Sequence, residues 1–146
     1  IKGAAILKIR TKITQNFVVS DKNGTMGYSI PAAMGANLAS KRETICLVGD
    51  GGSQMSINEL GILLNTDIKV IFIIINNGGC ACMFDTGQQT AKFTNPDFGK
   101  LAQAYGIHGY VVKTNKNFKQ AFIDAKKRTK SSIIEVKANQ DSMIWE

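Results

Sequence analysis

The sequence holds one histidine, one tryptophan, two prolines and three cysteines, and each scarcity narrows what the chain can do. The single histidine, His108, lies far from Cys80-Ala81-Cys82, and no finger-like cysteine spacing is present, which argues against a zinc site. Cys46, Cys80 and Cys82 fit a reducing compartment, so a cytoplasmic location is expected. No apolar run reaches the roughly 20 residues of a membrane span, so no membrane partner is expected. No signal peptide opens the chain. It begins at Ile1 rather than Met and reads as a fragment or a processed product.

Acidic residues are also few. Eleven Asp and Glu face 18 Lys and Arg, for a net charge of +7. The basic residues are scattered, apart from Lys126-Lys127-Arg128-Lys130 on an expected amphipathic helix, Asn117 to Thr129. Phe118, Ala121, Phe122 and Ala125 form its apolar side, so the cluster reads as a solvated face. Aromatic and basic residues are not interleaved as in single-strand binders, and no nucleic acid partner is expected. Asn23-Gly24-Thr25 matches a glycosylation triplet, but nothing indicates secretion.

What the sequence has is glycine at strand ends. Thr44-Ile45-Cys46-Leu47-Val48 and Val70-Ile71-Phe72-Ile73-Ile74-Ile75 read as strands buried on both faces, with Cys46 a small buried hydrophobe. The first runs into Gly49-Asp50-Gly51-Gly52-Ser53 and the second into Asn76-Asn77-Gly78-Gly79. Between them a helix is expected over Met55 to Asn65, with Met55, Leu60, Leu63 and Leu64 on its apolar side. A crossover of this kind puts both turns at the carboxyl ends of neighbouring parallel strands, where open α/β sheets bind ligands.

The other expected elements are a short strand within Ile13 to Val19 and a small-residue helix after Ser29-Ile30-Pro31. A short helix over Cys80 to Asp85 and a polar loop from Thr86 to Thr94 follow. A helix over Asp97 to Tyr105, a strand near Ile107 to Val112 and a strand over Ile133 to Val136 complete the pattern. The tail, Asp141 to Glu146, has no clear structure, and Trp145 is free to pack on the domain or a neighbour. His108 reads as a surface or packing residue. The alternation implies one α/β domain, residues 1–146, with a mainly parallel open sheet and helices on both faces.

The turns carry a chemistry of their own. Glycines 49, 51 and 52 let the backbone approach a ligand, and their N–H groups suit an anion. A helix following them would add its positive end. Asp50 beside a phosphate is repulsive unless a cation lies between, and Mg²⁺ shares oxygen ligands between protein and phosphate. Asn76 or Asn77 supplies an amide oxygen, and a carbonyl in Gly78-Gly79 completes the set. Taken singly, a Gly-Asp turn and an Asn-Gly turn are common loop chemistry.

Together they are not. Twenty-four residues, positions 52 to 75, separate Gly51 from Asn76. Gly-Asp-Gly, that interval, then Asn-Asn resembles the signature of thiamine-diphosphate-dependent enzymes. Three further blocks resemble the acetolactate synthases and their relatives: Gly24-Thr25-Met26-Gly27-Tyr28-Ser29-Ile30-Pro31-Ala32-Ala33, Gln54-Met55-Ser56-Ile57-Asn58-Glu59-Leu60, and Asn95-Pro96-Asp97-Phe98-Gly99-Lys100-Leu101-Ala102-Gln103-Ala104-Tyr105-Gly106-Ile107. The resemblance is collinear over nearly the whole chain.

It implies the diphosphate-binding, C-terminal domain of that family, with thiamine diphosphate (ThDP) and Mg²⁺ as cofactors. Asp50 and Asn77 side chains and the Gly79 carbonyl would hold Mg²⁺. The N–H groups of Gly51 and Gly52, with the Ser53 hydroxyl, would hold the diphosphate; relatives often have Ser where Gly52 stands. The Gly24 carbonyl would accept the aminopyrimidine's amine, and Met26 would sit beneath the cofactor as its conformational support. Thr25, Gly49 and Cys80 complete the cofactor-binding set.

The implied reaction is decarboxylation of a 2-oxo acid such as pyruvate, then transfer of the resulting enamine to a second carbonyl compound, or its protonation in a decarboxylase. The family's catalytic Glu lies on a pyrimidine-binding domain that is absent here. Relatives usually begin this domain with another strand and helix before the region matching Ile1, so the chain resembles a domain truncated at its N-terminus. It needs a pyrimidine-binding domain in the same protein or on a partner chain, in a homo- or hetero-oligomer. FAD enters only by analogy with acetolactate synthases. Two other readings are a subunit of a split ThDP-dependent 2-oxo acid decarboxylase and a non-catalytic cofactor-binding or assembly domain. Where many relatives have aromatic and Arg residues, this chain has Cys80, Ala81 and Phe84.

Overall fold

A computed structural model describes residues 17–20, 23–80 and 92–139. Four strands, β1 (Thr44–Gly49), β2 (Val70–Asn76), β3 (His108–Val112) and β4 (Ser132–Lys137), form one sheet in the order β1-β2-β4-β3. Every neighbouring pair is parallel. Register sets Gly49 opposite Ile75, so β1 and β2 end side by side.

The helices cover both faces, as the alternating pattern implies. They are α1 (Ser29–Ser40), α2 (Asp50–Gln54), a 3-10 helix (Ile57–Leu64), α3 (Phe98–Ala104) and α4 (Asn115–Lys127). Strand alternation divides the core in two. Phe72, Ile74 and Ile133 pack with Ile30, Leu60 and Phe98 on one face. Ile71, Ile73 and Ile134 pack with Ala121 and Ala125 of α4 on the other, where Phe118 and Phe122 stack at 5.9 Å. Phe72 is fully buried, which contributes about 1.5–3 kcal/mol. Cys46 is buried in β1, and burial pushes its thiol up to about 12, so it packs as an apolar residue.

Two contacts seat the helices. The Asn37 amide of α1 donates to the Arg42 and Lys69 carbonyls and accepts from Lys69 N–H at 3.0 Å. It staples the end of α1 to the entries of β1 and β2. Gly99 of α3 meets Gly109 of β3 so closely that a Cβ on Gly109 would lie 2.3 Å from the Gly99 carbonyl oxygen.

One expectation is corrected. In place of the helix expected over Met55 to Asn65 the structure has a turn at Met55 and Ser56 and then a 3-10 helix, Ile57–Leu64; the one-turn α2 comes before them. Ile57, Leu60 and Leu63 recur every three residues, the pitch of a 3-10 helix, and these three meet the core. Met55 and Leu64, assigned to the apolar side, are exposed. Gly51, Gly52 and Gly61 weaken continuous α-helix here.

Elsewhere the elements shift by a residue or two. Asp97 caps α3 by accepting from Lys100 N–H, and Thr114 caps α4 two residues before the expected start. Residues 17–20 form no strand. All but Cys80 of the helix expected over Cys80 to Asp85, most of the Thr86 to Thr94 loop, Cys82, Phe84, Trp145 and the tail lie outside the described residues. The basic cluster is exposed, with Lys126 paired to Glu43 at 3.1 Å.

Candidate active site

The two Gly-rich turns meet at Asp50. This residue follows β1 directly, is 1% exposed and receives its hydrogen bonds from three segments. Asp50 Oδ1 accepts from Gly51 N at 2.8 Å. Asp50 Oδ2 accepts from Gly78 N at 2.9 Å, Gly79 N at 3.0 Å and Asn95 Nδ2 at 2.7 Å. The buried carboxylate thus turns the second Gly-rich turn's N–H groups onto the first. That turn needs φ of +79° at Gly78 and +155° at Gly79, conformations open to glycine. The returning chain then pairs with it: Lys92 bridges Gly79, and Phe93 N donates to the Gly78 carbonyl.

The two asparagines differ. Asn76 Oδ1 accepts from Asn95 Nδ2 at 2.8 Å and from Gly78 N at 3.3 Å, and Asn76 Nδ2 donates to Glu135 Oε1. Lys137 Nζ donates to the same Glu135 oxygen. Asn77 is also buried, yet its Oδ1 has no hydrogen-bond partner among the described residues. A buried amide oxygen without a donor costs about 1–3 kcal/mol, which suits a ligand rather than packing. The residues alone left Asn76 and Asn77 as equals, and the resemblance implied Asn77; Asn76 is taken up by internal bonds, whereas Asn77 Oδ1 has no partner among the described residues.

Met26 comes to the same place. A Cβ on Gly51 would meet Phe93 Cζ at 3.1 Å, Met26 Cε at 3.3 Å and Cys80 Sγ at 3.4 Å. Three residues from distant parts of the sequence therefore converge over the first turn, and Gly51 leaves the space between them. Met26 is 44% exposed, so the same side chain faces outward. Gly24 and Thr25 are exposed on the approach to it, and Thr25 N donates to Ser20 Oγ. Gly49 ends β1. Ser53 is fully buried and its hydroxyl donates to the Asp50 carbonyl at 2.7 Å. Because α2 has only five residues, the turn's N–H groups, rather than a long helix dipole, would answer an anion.

Sequence reasoning did not assign roles to Gln54, Asn95 and Glu135. Asn95 joins Asp50 to Asn76, and its Oδ1 accepts from Gln54 Nε2 at 2.7 Å. An Asn-Pro pair ahead of a helix is a turn signal, and that was the available clue. Among the described residues no three His, Cys, Asp or Glu cluster as a metal set. The oxygens on offer are one carboxylate, one amide and backbone carbonyls, a hard donor set that suits Mg²⁺ shared with a phosphate and not zinc.

The family model described as thiamine pyrophosphate enzyme, C-terminal TPP binding domain, matches residues 3–136. The chain belongs to this family. As a TPP-binding domain it is 33% identical over 135 residues to the acetolactate synthase large subunit of Porphyra purpurea, covering 86% of this chain and 22% of that protein. To the isozyme 2 large subunit of acetolactate synthase from Escherichia coli it is 34% identical over 119 residues, 75% of this chain and 22% of that one. The solved thiamine diphosphate-dependent 4-hydroxybenzoylformate decarboxylase of Rhodococcus jostii superposes with a TM-score of 0.75 at 35% identity, over 82% of this chain and 24% of that one. The chain spans about a quarter or less of the length of these relatives. The parallel sheet with its helices is that of a ThDP-binding domain.

Proposed function

We propose that this TPP-binding domain works in a Mg²⁺-dependent 2-oxo acid decarboxylase and carboligase of the acetolactate synthase kind. The observation that carries the reading is the buried Asn77 Oδ1, without a partner among the described residues, in the turn whose Gly78 and Gly79 N–H groups donate to the Asp50 carboxylate, at the ends of two adjacent parallel strands. Asp50, Asn77 and the Gly79 carbonyl would hold the cation. The N–H groups of Gly51 and Gly52, with Ser53, would hold the diphosphate. Gly24 would accept the cofactor's amine, and Met26 would support its conformation, with Thr25, Gly49 and Cys80 alongside.

ThDP supplies the electron sink that lets a 2-oxo acid lose carbon dioxide. The chain's own residues bind and orient. Asp50 supplies the negative charge that places a cation against the diphosphate. Gly51 admits the ligand where a side chain would block it. Met26, Phe93 and Cys80 line the place. Proton transfer to the cofactor's ring needs a carboxylate from a pyrimidine-binding domain, in the same protein or on a partner chain, so the working unit is an oligomer or a larger chain.

Similarity to acetolactate synthases favours carboligation; similarity to a benzoylformate-type decarboxylase favours simple decarboxylation. Pyruvate incubated with the chain in its native assembly, with ThDP and Mg²⁺, separates them. Acetolactate in the product mixture supports carboligation. Acetaldehyde alone supports the decarboxylase. Unchanged 2-oxo acid across a panel of aliphatic and aromatic substrates would overturn both and leave a non-catalytic binding domain.

A further inference from the structure

The two oxygens of Asp50 are unequally used. Oδ2 accepts from Gly78 N, Gly79 N and Asn95 Nδ2, whereas Oδ1 accepts from Gly51 N. A carboxylate oxygen offers about two lone-pair directions. Oδ2 is therefore saturated and Oδ1 keeps capacity for one more partner.

Asn95 is the side chain that completes this asymmetry. Its amide has one workable orientation. Nδ2 gives one hydrogen to Asp50 Oδ2 and the other to Asn76 Oδ1, while Oδ1 accepts from Gln54 Nε2. A flipped amide would set its oxygen against two acceptors and its NH₂ against a donor. Asn76 is in turn anchored by the fully buried Glu135. Asn95 is thus clamped between Gln54 of α2 and Asn76 of β2, with its third contact on Asp50.

The geometry points to Asn95 as a positioning residue for the cation: by tying Asp50 Oδ2, already held by the Gly78 and Gly79 N–H groups, to Asn76 and Gln54, it keeps the carboxylate turned so that Oδ1 is the single oxygen that meets Mg²⁺. The inference rests on the Mg²⁺ and ThDP reading above. Its consequence concerns metal choice. Mg²⁺ demands near-octahedral geometry with short, single-oxygen bonds, whereas Ca²⁺ accepts six to eight ligands and bidentate carboxylates. Removing the Asn95 donor leaves Oδ2 with the Gly78 and Gly79 N–H groups alone and cuts its side-chain tether to Asn76 and Gln54, so the carboxylate turns more easily and meets a cation through both oxygens. Mg²⁺ binding should suffer more than Ca²⁺ binding.

The test follows ThDP binding to the native assembly while Mg²⁺, and separately Ca²⁺, is titrated. Wild type, Asn95→Ala and Gln54→Ala are compared. Gln54 is exposed, so its variant keeps the fold even if Asn95→Ala does not. For Asn95→Ala the Mg²⁺ needed for half-saturation rises about 10-fold, the lower end for lost metal-orienting contacts. The Ca²⁺ requirement rises less, and Gln54→Ala moves the Mg²⁺ to Ca²⁺ ratio in the same direction by a smaller factor. Equal losses for both cations, or no change in either variant, overturn the positioning role while the binding reading stands. A wild type that binds ThDP without any divalent cation overturns the reading beneath it, and this inference with it.

Discussion

Gly99 and Gly109 press backbone to backbone: a Cβ on Gly109 would stand 2.6 Å from the Gly99 Cα and 2.3 Å from its carbonyl oxygen. The contact seats α3 directly on β3. It also fixes the segment before α3, which carries Asn95 to Asp50. Gly109→Ala forces the helix away, because the obstacle is backbone and cannot rotate aside. Overpacking of this kind costs about 1–3 kcal/mol, with backbone collisions at the upper end. Thermal unfolding of the variant should show a clear drop in Tm, and the Mg²⁺ requirement should rise as Asn95 shifts. A variant with wild-type Tm would refute the close approach.

Asp50 serves the fold as well as the proposed cation site. Its carboxylate answers four N–H donors from three segments, and removing it leaves buried donors without acceptors at about 1–3 kcal/mol each. Asp50→Ala should therefore lower the denaturation midpoint and abolish Mg²⁺-dependent ThDP binding. Asn77→Ala should separate the two effects. Its Oδ1 has no partner to lose among the described residues, so stability should hold or rise slightly while cation affinity falls. Denaturant titration and cofactor titration on the same samples distinguish them.

Gly51→Ala places a methyl against Phe93, Met26 and Cys80. All three are side chains that can yield, so the fold should survive with a loss of about 1 kcal/mol or less. The ligand's space does not survive. ThDP affinity should fall at least about 10-fold, a change of about 1.4 kcal/mol in binding. Binding curves that overlay those of wild type would remove Gly51 from the cofactor's contact surface.

His108 gives a pH dependence. Burial lowers its pKa first, the nearby Arg128 charge lowers it further, and Asp124 opposes both. Arg128 is held there by Nε donating to the Tyr110 hydroxyl, and the Tyr110 ring lies 4.4 Å from His108. A histidine with a lowered folded pKa binds its proton more readily when unfolded. Its contribution to stability is complete above the ordinary value of 6.5 and is lost as pH falls through the interval down to the folded value. Between about pH 7.5 and about pH 5, His108→Gln should lose less Tm than wild type. An identical loss in both would contradict the shift.

The strands were legible because their chemistry is local. Runs such as Val70–Asn76 are β-branched, end in polar glycine turns and are buried along nearly their whole length. The turns were legible because Asp50, Asn77 and the glycines lie at strand ends in a spaced motif. The 3-10 helix was missed because Met55, Leu60, Leu63 and Leu64 imitate a 3.6-residue period, while the core is met at Ile57, Leu60 and Leu63. Asn95 was missed because its partners, Asp50 and Asn76, lie 45 and 19 residues away and no local rule brings them together. The approach of Gly99 to Gly109 was hidden for the same reason.

One titration decides most. ThDP is added to the native assembly, with and without Mg²⁺, for wild type and Asp50→Ala. Mg²⁺-dependent binding in wild type, lost in the variant, is the expected result. Saturation at about 100 times Kd should add about 2.7 kcal/mol to wild-type stability. Binding that ignores Mg²⁺, or persists in Asp50→Ala, would contradict the site built around Asp50 and Asn77.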